Sequence, residues 1–96
     1  MTNTEQTIGL NTILHVLGNF FRIHRILKGD KQATVSQAIG VSQGVLSQVE
    51  QGIYRALTIS LVMRLLAYYG LEPGDLAEEV IERLHFSSVD TAESGN

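Results

Sequence analysis

Four glycines divide the middle of the chain into short segments, at Gly29, Gly40, Gly52 and Gly70. Between them, apolar residues recur every three or four positions, which is the spacing of a helix that packs on one side. A glycine just after the last apolar residue is a common helix end, because glycine readily adopts the left-handed conformation that closes a helix. No stretch alternates apolar and polar residues for long enough to form a strand. The sequence therefore predicts an all-α fold with about five helices.

The first predicted helix has the longest apolar pattern, from Asn11 to Gly29. Gly18 lies inside this pattern, so the segment is either one bent helix or two adjoining helices. The residues in front of Asn11 are mostly polar and are expected to be frayed. We expect residues 1–17 to form a partly helical extension and residues 18–86 to form the main domain.

Two short helices follow, separated by two residues. The second predicted helix covers Lys31–Ile39, and Asp30 is its expected N-cap. The third is capped by Ser42, and its narrow apolar stripe consists of Leu46 and Val49. Such a short helix is not stable alone, so it must be held by packing.

The last two predicted helices lie on either side of Gly70. Thr58 caps a strongly apolar helix, Ile59–Tyr69, and Pro73 begins the fifth helix at a position that tolerates proline. The polar residues 87–96 are expected to form a disordered tail.

Composition excludes several classes of function. The chain has 96 residues and no cysteine, so we expect one domain without disulfides, thiolate metal sites or a thiol nucleophile. No cluster of nucleophile, base and oxyanion donor is visible, and the three histidines are too scattered for a metal site. We therefore expect neither an enzyme nor a bound cofactor. The amino-terminal residues do not resemble a signal peptide, and no membrane helix is indicated, so the expected location is the cytoplasm.

The net charge of −3 is an average over two unlike parts of the chain. Val16–Arg64 contains six basic and two acidic residues, whereas Glu72–Asn96 contains one basic and seven acidic residues. This asymmetry indicates either a surface for an anion and a separate acidic end, or an uneven scatter of charge without function.

The third predicted helix has an unusual exposed face. Beside its apolar stripe, its residues are uncharged and either small or hydrogen-bonding, namely Gln43, Gly44, Ser47, Gln48 and Gln51. A face that contacts only water normally carries Lys and Glu, which are better helix formers. A glutamine side chain donates and accepts at once, which matches the N6/N7 edge of adenine in the major groove. The pattern favours a DNA-reading surface over an ordinary solvated one.

The segment Lys31–Gly52, with the sequence KQATVSQAIGVSQGVLSQVEQG, resembles the helix-turn-helix of the lambda-repressor-like (Cro-type, XRE) family. The shared features are Gln32 at the start of the second helix, the turn Ile39–Ser42 with the sequence IGVS, and a Glu-x-Gly end. The resemblance extends over Gly18–Leu76.

The resemblance implies a role for each matching position. The residues expected to contact DNA are Gln32 at a phosphate, Ser42, Gln43, Gly44, Ser47 and Gln48 along the reading helix, and Tyr54 and Arg55 at the backbone on the far side. Gly44 either permits a close approach to DNA or is neutral. Arg25 and Glu50 match positions that form an ion pair in some relatives, which would tie the first helix to the third.

The resemblance also implies a function. We expect a transcriptional repressor that inserts helix 42–51 into the major groove of double-stranded DNA as a homodimer, with half-sites about one turn (~34 Å) apart. The candidate dimer contacts are Ile13, Leu14, Leu17, Leu76, Val80, Ile81 and Leu84. The alternative is that these residues complete the core.

A protein-binding module is the alternative function, for example an anti-activator or an antitoxin-like partner of another regulator. Ser42–Gln51 contains neither Lys nor Arg, and the whole chain is acidic. Both features favour a protein partner over DNA.

Overall fold

The computed structural model describes the backbone of residues 2–94 and the side chains of residues 9–84. It contains five helices in this range: α1 (Thr2–Lys28), α2 (Gln32–Ile39), α3 (Gln43–Gln51), α4 (Ile59–Tyr68) and α5 (Pro73–Ser94). No strand is present between residues 2 and 94. The predicted all-α fold is confirmed. None of these helices is both long and apolar enough to cross a membrane.

α1 is a single helix that passes through Gly18 without interruption. A Cβ atom at Gly18 would collide with the carbonyl oxygen of Val49 and would lie 2.8 Å from that of Glu50. Gly52, at the end of α3, is similarly close to α1, because a Cβ there would lie 2.7 Å from the Cα of His15. The two glycines therefore let the backbones of α1 and α3 touch.

The core lies where all five helices meet. Its buried residues are Phe20 and Phe21 of α1, Val35 and Ile39 of α2, Leu46 and Val49 of α3, Leu61, Leu65 and Leu66 of α4, and Leu76 of α5. Complete burial of such a side chain contributes about 1.5–3 kcal/mol. The predicted inward positions on α3, Leu46 and Val49, are confirmed.

Two of the three predicted caps are confirmed. The hydroxyl oxygens of Ser42 and Thr58 accept hydrogen bonds of 3.1 Å from the backbone N–H groups of Val45 and Leu61. The prediction for Asp30 is wrong, since Lys31 is the N-cap residue of α2 and makes no side-chain cap. The Asp30 carboxylate instead accepts a hydrogen bond from the Tyr68 hydroxyl of α4.

Both ends of the chain are more helical than their sequences indicate. α1 begins at Thr2 and runs across the predicted boundary between residues 17 and 18. α5 extends to Ser94, into the segment predicted to be a disordered tail. This segment has no glycine or proline before Gly95, so nothing in it breaks a helix.

Several candidate dimer residues instead stabilise the single chain. Leu14 and Leu76 are buried, and Leu17 and Val80 pack against the core. Leu14 and Leu76 therefore belong to the core of one copy, whereas Leu17 and Val80 are half-buried, and the predicted dimer contact remains a prediction. Ile13 and Leu84 are half-buried, while Ile81 is 65% exposed.

Candidate nucleic-acid interface

α2 and α3 form the helix-turn-helix. Gly40 ends α2 in the left-handed conformation with φ of 81°, and Ser42 begins α3. Burial of Leu46 and Val49 fixes the inner side of α3, so the opposite side faces outwards. That outer side carries Gln43, Gly44, Ser47, Gln48 and Gln51, of which only Ser47 is half-buried. We call these five residues the reading stripe.

The polar groups of the reading stripe are not equally available. The Gln51 side chain donates a hydrogen bond of 2.8 Å to the Ser47 hydroxyl. Within the described part of the chain, the side chains of Gln43 and Gln48 make no hydrogen bond. Their amide groups can therefore meet a ligand without first breaking an internal contact.

A buried ion pair joins α3 to α1. The Arg25 guanidinium donates two hydrogen bonds to the Glu50 carboxylate, of 2.8 and 3.0 Å, and Glu50 is only 5% exposed. The hydrogen bond with Glu50 raises the pKa of Arg25, although burial opposes the shift. The pair that the family resemblance implies is thus present. Two parallel bonds fix the relative orientation of both groups.

Gln32 belongs to the same network. Its amide nitrogen donates a hydrogen bond of 3.0 Å to Glu50, which links α2 to α1 and α3. Arg25 also donates to the backbone oxygen of Asp30, in the turn before α2. One amide hydrogen of Gln32 is therefore already used inside the protein, and the predicted phosphate contact would need the other.

The two predicted contacts in the loop after α3 differ in exposure. Tyr54 is half-buried and packs against the core, whereas Arg55 is exposed. The Arg55 guanidinium donates a hydrogen bond of 2.8 Å to the Asn11 side chain, which ties the loop to α1. This bond is at the surface, so it is weak enough to exchange for a phosphate.

The structure also contains a groove beside the reading stripe that the sequence analysis did not predict. It has a volume of about 590 Å³ and lies between α1, the end of α3 and α5, with His15, Asn19, Arg22, Gln51 and Arg83 among its lining. The residues of α1 share one helix face, a spacing that the sequence shows. Arg83 carries no such signal, because its place beside α3 depends on how α5 packs.

The sequence pattern of the helix-turn-helix family matches residues 21–76, which is more than half of the chain. This range runs from the second half of α1 to the first turn of α5. The chain belongs to the lambda-repressor-like (XRE) helix-turn-helix family. A comparison with curated protein sequences finds no match.

A solved structure supports the same fold. The crystal structure of the clp gene regulator ClgR from Corynebacterium glutamicum superposes on this helix-turn-helix protein with a TM-score of 0.72. The match covers 85% of this chain and 86% of the ClgR chain at 22% sequence identity. The similarity therefore includes α1 and α5 as well as the helix-turn-helix.

Proposed function

We propose that this protein is a sequence-specific DNA-binding transcriptional regulator, acting as a repressor, that places α3 in the major groove. The observation that carries this proposal is the reading stripe, which is exposed, uncharged and rich in hydrogen-bonding groups. Membership of the helix-turn-helix family supports it, as does the fold shared with a protein described as a clp gene regulator. No catalytic role is proposed.

Gln43 and Gln48 are the proposed base readers, since both are exposed and their side chains form no hydrogen bond with residues 9–84. A glutamine amide can bond to both N6 and N7 of adenine, and each such pair discriminates by about 1–3 kcal/mol. Gly44 lies between them, and a Cβ there would meet only the Ser42 hydroxyl oxygen, at 3.9 Å. The missing side chain leaves room for a base edge or a thymine methyl group.

Gln32, Tyr54 and Arg55 are the proposed backbone contacts. Gln32 lies at the amino-terminal end of α2, and Arg55 lies in the loop beyond α3. The two positions flank the helix-turn-helix in sequence, and in the proposed complex they would contact the phosphates beside α3. Such contacts set the register on DNA but do not read sequence.

We further propose that the regulator acts as a homodimer in the cytoplasm. One copy offers few cations to DNA, and a second copy doubles the phosphate contacts that supply much of the affinity. Ile81 is the exposed residue among the predicted dimer contacts. A two-fold dimer requires an inverted-repeat operator.

Selection from a randomised DNA pool, followed by a binding titration, tests the proposal. The wild-type protein should enrich one duplex sequence and bind it more tightly than a scrambled duplex of equal length. If the enriched pool has no consensus and no duplex binds above background at low salt, DNA recognition is excluded.

One observation favours the alternative of a protein-binding module. Ile23, Ile26 and Leu27 lie on one face of α1 and are 40%, 52% and 76% exposed, respectively. Exposed apolar residues that cluster in this way mark protein contacts in many soluble proteins. Substitution of Leu27→Ser separates the two functions, because it leaves DNA binding intact if α3 is the functional surface.

A further inference from the structure

The groove between α1, α3 and α5 lies beside the surface that we propose reads DNA. His15, Asn19 and Arg22 enter it from one face of α1, since they are four and three residues apart. Gln51 belongs to both the groove and the reading stripe, where it bonds to Ser47. The groove is therefore continuous with one edge of that stripe.

The dimensions of DNA place a phosphate strand at this edge. A helix with its side chains is about 10–12 Å across, and the major groove is about 12 Å wide. An inserted helix fills that width, so the phosphate strands lie along its two sides. Because Gln51 lies both on the reading stripe and in the groove, we expect one of these strands to pass beside the groove.

The charges of the groove suit an anion. Arg22 is exposed and forms no ion pair among the described residues. The Nε atom of Arg83 bonds to Glu79 at 2.9 Å, but the Arg83 side chain is 54% exposed and its terminal nitrogens remain available. Exposed pairs of this kind are worth at most about 1 kcal/mol, so Arg83 can turn to a second acceptor.

The one carboxylate that lines the groove does not oppose an anion strongly. Both oxygens of Glu50 accept hydrogen bonds from Arg25, and one also accepts from Gln32. Its charge is thus compensated inside the protein. Asn19 and Gln51 add side-chain amides that can donate hydrogen bonds at the rim.

We propose that this groove binds a phosphate of the DNA backbone, with Arg22 as the principal contact and Arg83 as the second. The proposal rests on the proposed function and extends it to α5. A guanidinium can bond to phosphate through two parallel N–H groups, which a lone amide cannot do. Cations from α1 and α5 would then supply affinity that the uncharged reading stripe lacks.

A salt titration of DNA binding tests the groove. Arg22→Gln should reduce the slope of log K against log salt by about 0.9 for each copy bound, which is about 1.8 for the proposed homodimer, because each copy loses one phosphate contact. It should weaken selected and scrambled duplexes by the same factor, because a phosphate contact carries no sequence information. Arg83→Gln should act in the same direction with a smaller change.

Lys28→Gln is the matched control, because Lys28 is an exposed cation on α1 that lies outside the groove, over the Tyr68 ring. Its slope should equal that of the wild type. Glutamine is a good helix former, so all three variants should keep the wild-type melting temperature. An equal slope for Arg22→Gln and the wild type overturns the proposal.

A free anion is the other source of the same chemistry. Inorganic phosphate is added to the wild type and to Arg22→Gln without DNA, and the melting temperatures are compared. An alternative result is that phosphate raises the melting temperature of the wild type but not of Arg22→Gln, while the two proteins have the same salt slope for DNA binding. That result would assign the groove to a small anion and overturn the DNA contact. If the wild type binds no duplex at all, the proposed function fails. If the wild type binds DNA but Arg22→Gln has the same slope, only the proposed phosphate contact in the groove is wrong.

Discussion

Leu46 and Gln48 are two residues apart on α3, yet they meet different surroundings. Leu46 is 1% exposed and packs in the core, whereas Gln48 is exposed and has no hydrogen-bond partner among the described residues. The inner side of α3 also carries the Glu50 network, while the outer side carries the Gln51–Ser47 hydrogen bond. Contacts on the inner side therefore position the helix. Stability and recognition should be separable by substitution.

The largest expected effect is on the inner side. Leu46→Ala removes a buried side chain and leaves a cavity, so the free energy of unfolding should fall by about 2–5 kcal/mol. Gln48→Ala, on the outer side, should change it by less than about 0.5 kcal/mol. Urea unfolding followed by circular dichroism measures both. An equal loss of unfolding free energy in the two variants would contradict the difference between the two sides of α3.

The contact between α1 and α3 gives the next largest effect. Gly18→Ala places a methyl group against the backbone oxygens of Val49 and Glu50, which cannot move independently of α3. We expect a loss of about 1–3 kcal/mol. Gly9→Ala is the control on the same helix, because no atom lies within 4 Å of its Cβ position. That variant should instead gain up to about 1 kcal/mol from helix propensity. A Gly18→Ala protein as stable as the wild type contradicts the close approach.

Substitution of the two neighbouring tyrosines, Tyr68 and Tyr69, by phenylalanine should change the melting temperature in different ways. The Tyr68 hydroxyl donates to Asp30, whereas the buried Tyr69 hydroxyl has no partner in the described part of the chain. Tyr68→Phe should lower the melting temperature at pH 7. Tyr69→Phe should leave it unchanged or raise it, because an unpaired buried hydroxyl is removed.

The same pair predicts a dependence on pH. Burial raises the pKa of Tyr69 above its ordinary value of 10.0. Above about pH 10 the unfolded chain therefore loses this proton before the folded chain does, and stability falls as pH rises. Tyr69→Phe should reduce that fall. The free energy of unfolding is measured from pH 8 to 11 for the wild type and for Tyr69→Phe. An equal fall in both proteins would argue against the buried hydroxyl.

A small gain in stability is expected at Gly44. Gly44→Ala meets no close atom and should stabilise α3 by up to about 1 kcal/mol. Its effect on DNA binding decides between the two roles left open for this glycine. Weaker binding by a more stable protein indicates a close approach to DNA, whereas unchanged binding indicates a neutral position.

Local signals predicted most of the fold. The four glycines and the caps Ser42 and Thr58 act within a few residues, so the sequence displays them directly. Asp30 was wrong as a cap because its partner, Tyr68, is distant in sequence. The polar composition of residues 87–96 suggested a disordered tail. The backbone is helical to Ser94, which agrees with the lack of a helix-breaking residue before Gly95.

Local sequence signals predicted only part of the candidate site. Exposure of the reading stripe followed from the spacing of Leu46 and Val49. The Arg25–Glu50 pair came from family resemblance alone, because no short-range pattern links residues on α1 and α3. The groove needed the packing of α5 against α1, which brings Arg83 into the lining of the groove.

The central claim is that the outer side of α3 reads bases, and the most direct test is a specificity ratio. Affinity for the selected duplex is divided by affinity for a scrambled duplex, for the wild type, Gln43→Ala and Gln48→Ala. Each substitution should lower this ratio about tenfold, since a bidentate base contact is worth about 1–3 kcal/mol, while the free energy of unfolding stays unchanged. Ratios equal to that of the wild type in both variants would contradict the account.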